Sequence, residues 1–148
     1  YQVASNLILE RPVQDKKLSE LREELEGSGR QAQQLLATAG DLQENRERLR
    51  HVIGIERWGQ RRLQVALGEP LLMDESDKYF PVEHAGWDKL RQTFQETRQE
   101  TVTLICRLEE VDVGRDLRIP HNQWGDLSVY GWLNYLNGHA SRDVKRIK

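Results

Sequence analysis

The sequence predicts an all-α fold, a four-helix bundle folded as a single domain over residues 1–148. Three observations carry that prediction. Four segments space their apolar residues by three and four, the rhythm that lines one face of a helix. No segment alternates convincingly with the period of two that a half-buried strand needs. Breakers fall between the periodic segments: Gly40, then Gly68 and Pro70, then Gly114 and Pro120.

Residues 1–14 read as an N-terminal extension. The first helix is expected over about 15–39, just after Pro12, with the seam Leu18, Leu21, Leu25, Ser28, Ala32, Leu35 and Ala39. The second is expected over about 42–67. Asp41 is its candidate N-cap, and Glu44 completes a capping-box pattern. Its apolar face includes Leu42, Leu49, Val52, Ile53, Ile55, Trp58, Leu63 and Ala66. The link between these two helices is very short, so they should be antiparallel neighbours. Residues 69–82 read as a loop long enough to cross an end of the bundle.

The third helix is expected over about 83–109, with the seam Trp87, Leu90, Phe94, Thr97, Thr101, Leu104 and Leu108. A second loop covers 111–125. The fourth helix begins after Asp126 or Ser128 and runs over about 128–148, along Val129, Trp132, Leu136, His139 and Asp143. Arg142, Lys145, Arg146 and Lys148 load its end with positive charge, as the helix macrodipole favours.

Composition narrows the function classes. Apolar residues make up 37%, enough for a core of ordinary size. Lys and Arg number 22 against 24 Asp and Glu, a net charge of −2, which disfavours a nucleic-acid binder that relies on a positive field. One cysteine, Cys106, rules out an internal disulfide framework and a cysteine-rich zinc module. No apolar run approaches the ~18 residues of a membrane span, and the N-terminus lacks the pattern of a secretory signal. The expected setting is cytoplasmic, with no membrane partner. The chain also lacks an initiating Met, which fits a trimmed N-terminus.

The informative feature is polarity at core-facing positions. His139 and Asp143 lie four apart on the fourth helix and continue its seam, so both side chains share one inward face. His51 lies one turn before Ile55 on the second helix, near that helix's buried face. Two imidazoles and a carboxylate can share one divalent ion (Zn, Ni, Fe or Mn) and leave positions open for water or substrate. Plainer readings exist. A core histidine is more often bonded to a carbonyl, and an i, i+4 His–Asp pair is often a helix ion pair worth a few tenths of a kcal/mol. His84 and Asp88 repeat the same spacing at a helix end beside a loop, where a ligand role is disfavoured.

Other candidates are weaker. Cys106, beside the Leu104–Leu108 seam, reads as a small buried hydrophobe rather than a nucleophile. Arg46, Arg48, Arg50, Arg57, Arg61 and Arg62 crowd the second helix. Glu44, Glu47 and Glu56 interleave with them, which favours a solvated, paired surface over a nucleic-acid face. Trp124 and Tyr130 either line a pocket at the bundle mouth or, more commonly, seal it. Glu56 is the candidate acceptor of a hydrogen bond from a metal-ligating histidine.

Two stretches then resemble a known family. Leu49-Arg-His51-Val-Ile-Gly-Ile-Glu56-Arg-Trp58 resembles the second-helix motif of the DinB/YfiT-like metalloenzymes. Gly125-Asp-Leu-Ser128, with Trp132-Leu-Asn-Tyr-Leu-Asn-Gly138-His139 after it, resembles their fourth helix. The third helix is similar as well, and the likeness spans about residues 15–148. It implies an up-down-down-up bundle, usually a homodimer. It also implies a metal held by one second-helix His and a His-x3-His pair in the fourth helix. Carried over, the ligands are His51 and His139, with Asp143 where the family has its third histidine. Members of known activity use low-molecular-weight thiols as co-substrates in transferase or isomerase reactions on small molecules. The expected function is therefore a divalent-metal-dependent, thiol-dependent enzyme acting on small electrophiles. The rival expectation is a metal-free, stress-associated bundle that works through dimer or partner contacts.

Overall fold

The computed structural model describes residues 2–148. The chain is mostly helical, with five α-helices and a small two-stranded sheet. The helices are α1 (Gln2–Ser5), α2 (Leu18–Thr38), α3 (Gln43–Leu63), α4 (Trp87–Glu110) and α5 (Val129–Val144). The strands are β1 (Ile119–His121) and β2 (Gly125–Leu127). The four long helices coincide with the four periodic segments. No helix among the described residues is long and apolar enough to cross a membrane.

The buried stripe of α2 runs through Leu18, Leu21, Leu25, Gly29, Ala32 and Leu36. The seam read from the sequence steps by a mean of 3.5 and passes through Leu35, which is 45% exposed, before Ala39. A straight α-helix repeats every 3.6 residues, so a strict 3.5 seam drifts off the buried face within a few turns. The expected cap of α3 also fails. Leu42 stands at the N-cap without a side-chain bond and is exposed, while Asp41 pairs with Arg46. At α5 the sequence reading holds: Ser128 is the N-cap, and its hydroxyl accepts from the Gly131 amide at 3.0 Å.

The order of packing differs from expectation. α2 and α3 each pack along α4 and α5 rather than along one another. A short link restricts how far apart two helix ends lie, but it does not make the helices adjacent along their length. Of the residues read as an extension, the described ones are docked on the bundle. α1 continues through one π turn and one 3-10 turn to Val13, burying Leu9 and Val13. Glu10 there accepts from the Ser128 amide at 2.8 Å, tying the N-terminal segment to the start of α5.

The second expected loop contains a hairpin. Ile119 pairs with Leu127 and His121 with Gly125, antiparallel. Both Ile119 and Leu127 are buried, and the Trp132 indole donates to the Ile119 carbonyl at 2.9 Å, fastening the hairpin to α5. Trp124 and Tyr130 pack against this part of the core, so these aromatics seal it. Cys106 is exposed on α4, against the expectation of burial.

The core divides into two apolar clusters. One gathers Leu21, Leu25, Trp58, Leu108, Trp132 and Leu136 among others. The second gathers Ala32, Leu36, Leu49, Ile53, Leu90 and Phe94 with Ala140 and Val144. Between them each long helix contributes polar residues: Ser28 from α2, Glu56 from α3, Thr97, Arg98 and Thr101 from α4, Asn137 and His139 from α5. This polar layer positions the candidate site.

Candidate metal centre

His51 of α3 and His139 and Asp143 of α5 come together next to this layer, along the stretches of α3 and α5 that carry Leu49, Ile53, Ala140 and Val144 of the second cluster. Each offers one donor atom, and the three donors lie within 4.8 Å of one another. His139 Nε2 is 3.4 Å from Asp143 Oδ2, and the two imidazole centroids are 5.2 Å apart. Ligand bonds of ~2.1 Å in a tetrahedron set donors about 3.4 Å apart, so the His139–Asp143 edge already has that length. The widest pair needs to close by no more than about 1.4 Å. All three side chains are partly buried, with Asp143 17% and His139 16% exposed. The residues therefore fit a divalent ion.

The imidazoles are oriented by rings rather than by hydrogen bonds. Phe80 meets His51 edge-on at 5.4 Å, and Tyr135 stacks on His139 at 6.0 Å. Phe80 reaches His51 because Gly54 has no side chain; a Cβ there would overlap the Phe80 ring. Burial pushes the His139 pKa down, with Asp143 acting against it. That direction favours the neutral imidazole, the form that ligates a metal.

Glu56 does not fulfil the role expected of it. Its carboxylate accepts from Arg98 Nε at 2.9 Å and Nη2 at 2.8 Å, and from the Thr101 hydroxyl at 2.8 Å. It has no hydrogen bond to either histidine among the described residues. The same Arg98 donates through Nη1 to the Leu25 carbonyl and to Ser28 Oγ, and Ser28 meets Asn137 of α5. Glu56 therefore anchors a network joining α2, α3, α4 and α5. The second His–Asp pair is resolved too. His84 is exposed, and Asp88 pairs with Arg91.

The arginines of α3 divide into two groups: Arg46 pairs with Asp41 and Arg48 with Glu44, as a paired surface requires, and the others reach backbone carbonyls. Arg50 donates to the Pro81 carbonyl, Arg57 to Tyr79, Arg61 to Pro70, and Arg62 to Leu72 and Asp74. They pin the segment that carries Phe80 along the helix. A groove of about 420 Å³ between α2 and α4 contains none of the three cluster residues; Gly29, Arg98 and Val102 are in its lining.

One buried titratable group was missed in the sequence. His121, 4% exposed, closes the hairpin turn: its Nδ1 accepts from the amides of Gln123 and Trp124 at 3.0 and 3.2 Å. Its ring contacts Trp58, Trp132 and Tyr135, and Nε2 has no partner among the described residues. The available signal was Pro120 before it and Gly125 after it, which mark a tight turn. Burial, with Arg62 adding, pushes the His121 pKa from 6.5 down to about 4. The unfolded chain therefore binds a proton that the folded chain refuses. Stability should be full above pH 6.5 and fall as the pH drops toward 4, by about 3 kcal/mol from this group. Urea midpoints measured across that range check it. His121→Gln should flatten the slope, and an unchanged slope would assign the acid sensitivity elsewhere.

No family model matches the chain, and no curated protein or solved structure is significantly similar to it.

Proposed function

We propose that the chain is a divalent-metal-dependent enzyme of the DinB/YfiT-like kind, with its metal at His51, His139 and Asp143. The observation that carries this reading is the meeting of three donors from α3 and α5 while neither nitrogen of His51 has a hydrogen bond to the described protein. With no carbonyl or hydroxyl holding them, both His51 nitrogens are available to ligate. The proposed topology is an up-down-down-up bundle. Supporting it, α2 and α5 each pass from the Trp132 cluster to the Phe94 cluster, and α3 and α4 pass the opposite way.

A bound Zn, Ni, Fe or Mn ion would supply a Lewis acid able to hold a thiol or water in its deprotonated form. The chain's own part is to present neutral His139 and anionic Asp143 on one helix face and to hold His51 opposite them. Phe80 and Tyr135 cover the imidazoles and limit the water around them. The proposed reaction class is transfer from a low-molecular-weight thiol to a small electrophile, in a homodimer.

A second reading has one observation in its favour. The 3.4 Å His139–Asp143 contact is also what a plain helix ion pair looks like. In that case the bundle holds no metal and acts through partner contacts. Metal content of protein purified without a nickel column separates the two, with His51→Ala, His139→Ala and Asp143→Ala alongside. The expected result is close to one metal per chain, lost on either histidine substitution and weakened at least tenfold by Asp143→Ala. No uptake of Zn, Ni, Mn or Fe(II) by the parent chain overturns the enzyme reading.

A further inference from the structure

We propose, resting on the metal reading above, that Arg142 and the Tyr135 hydroxyl form a carboxylate-binding subsite beside the His51–His139–Asp143 cluster. The small molecule handled there is then a carboxylate.

The argument begins with the spacing on α5. Tyr135 precedes His139 by four residues and Arg142 follows it by three, so all three share one helix face. Arg142 has no acid at helical spacing. Its neighbours three and four away are Gly138, His139, Lys145 and Arg146, which are neutral or cationic. The tertiary structure does not supply one either. Arg142 is exposed, and among the described residues no hydrogen bond or ion pair engages its guanidinium.

Its direction is set by Gly138. A Cβ at that position would lie 3.0 Å from Arg142 Nη1, so the side chain lies back along the helix over Gly138, the residue before His139. The Tyr135 hydroxyl has no partner among the described residues, while its ring is fixed against His139 and His121. The one nearby carboxylate, Asp143, is already shared between His139 at 3.4 Å and Arg146 at 4.0 Å. Two donors, one of them a cation, thus have no protein partner on the face of α5 that carries His139.

A guanidinium presents parallel N–H groups that match a carboxylate, and a phenol adds a third donor. The competing explanation is that Arg142 only complements the negative end of the helix dipole. Under that explanation its loss changes stability slightly and ligand binding not at all.

The test uses the full chain, metal-free and zinc-loaded, with affinities from titration calorimetry in every variant and the Arg142 Nε–Hε resonance followed by NMR where Arg142 is present. The probes are fumarate, its uncharged analogue fumaramide, and 3-mercaptopropionate. Fumarate is expected to shift that resonance and to bind about tenfold more tightly than fumaramide. Arg142→Gln should remove the difference while leaving zinc stoichiometry unchanged, and Tyr135→Phe should remove part of it. If the carboxylate belongs to a thiol co-substrate, 3-mercaptopropionate binds more tightly than fumarate. If it belongs to the other substrate, fumarate does. Both outcomes support the subsite provided that they depend on Arg142.

Equal binding of fumarate and fumaramide overturns the proposal. So does fumarate binding that survives Arg142→Gln, because the carboxylate then sits on the metal. A chain that takes up no zinc but keeps the Arg142-dependent shift supports the subsite and removes only the metal reading. Zinc uptake without Arg142 dependence does the reverse.

Discussion

Arg98→Met is expected to destabilise the fold by about 3–5 kcal/mol, on the order of 10 °C in Tm. Arg98 and Glu56 are 6% and 2% exposed, and their bidentate pair lies between the two apolar clusters. Two buried charges are each costly, and their mutual attraction offsets that cost only while both are present. Without the guanidinium, the Glu56 carboxylate keeps a single donor, the Thr101 hydroxyl. The Leu25 carbonyl and Ser28 Oγ lose a donor at the same time.

Two further outcomes identify the mechanism. The deficit should shrink as the pH falls toward 5, because the unpaired Glu56 escapes its charge by protonating. The double variant Arg98→Met with Glu56→Gln should recover much of the loss, since a buried pair replaced as a pair is often near neutral. Chemical denaturation at two pH values measures both. A loss below about 1 kcal/mol, the size typical of an exposed pair, would mean that water reaches this layer.

The Glu56–Arg98 pair also marks the limit of what the sequence disclosed. Residues that share one helix face were legible, because the face follows from spacing alone. That is why the seam of α4 came out correctly from Trp87 to Leu108, with every member buried. It is also why His139 and Asp143 could be read as a unit. Placing His51 with them needed a second helix face and the likeness to the family motif. What was not legible depends on which helix lies against which. Glu56 could be seen to face inward, but Arg98 and Thr101 sit on α4, and spacing does not specify the partner of α3. The same gap explains why α2 and α3 were expected side by side.

Short elements were hidden for a different reason. β1 and β2 have three residues each, too few to show an alternation. Among the described N-terminal residues the buried apolar side chains are Leu9 and Val13, so no stripe of three or four turns could announce them. His121 was missed with the hairpin that contains it. Its burial comes from a turn folded onto Trp58 and Trp132, which no periodicity encodes.

Arg62→Met is expected to cost about 3 kcal/mol or more, and its damage should be local before it is global. Arg62 is 1% exposed, and burial pushes its pKa down while Asp74 resists. It persists as a cation because its donors reach two loops at once. Nε donates to the Leu72 carbonyl at 2.9 Å and Nη1 to Pro120 at 2.6 Å. Nη2 donates to the Asp74 carbonyl at 3.0 Å and to Asn122 Oδ1 at 2.7 Å. The guanidinium also lies 4.7 Å over the Trp58 ring. Met fills a similar volume and keeps the contact with Trp58, but it leaves these four acceptors without that donor.

Arg62→Lys should recover little. An ammonium is a point donor and does not span carbonyls from two separate segments as a planar fork does. Hydrogen exchange is the decisive measurement. Protection should fall over residues 69–82 and 119–127 while α2 and α4 stay protected. Because the first of these segments carries Phe80, which packs against His51, zinc affinity at the proposed site should weaken as well, although Arg62 has no contact with the cluster. Unchanged protection in both loops would show that the other arginines of α3 suffice to hold them, and that the order of the site does not depend on this buried cation.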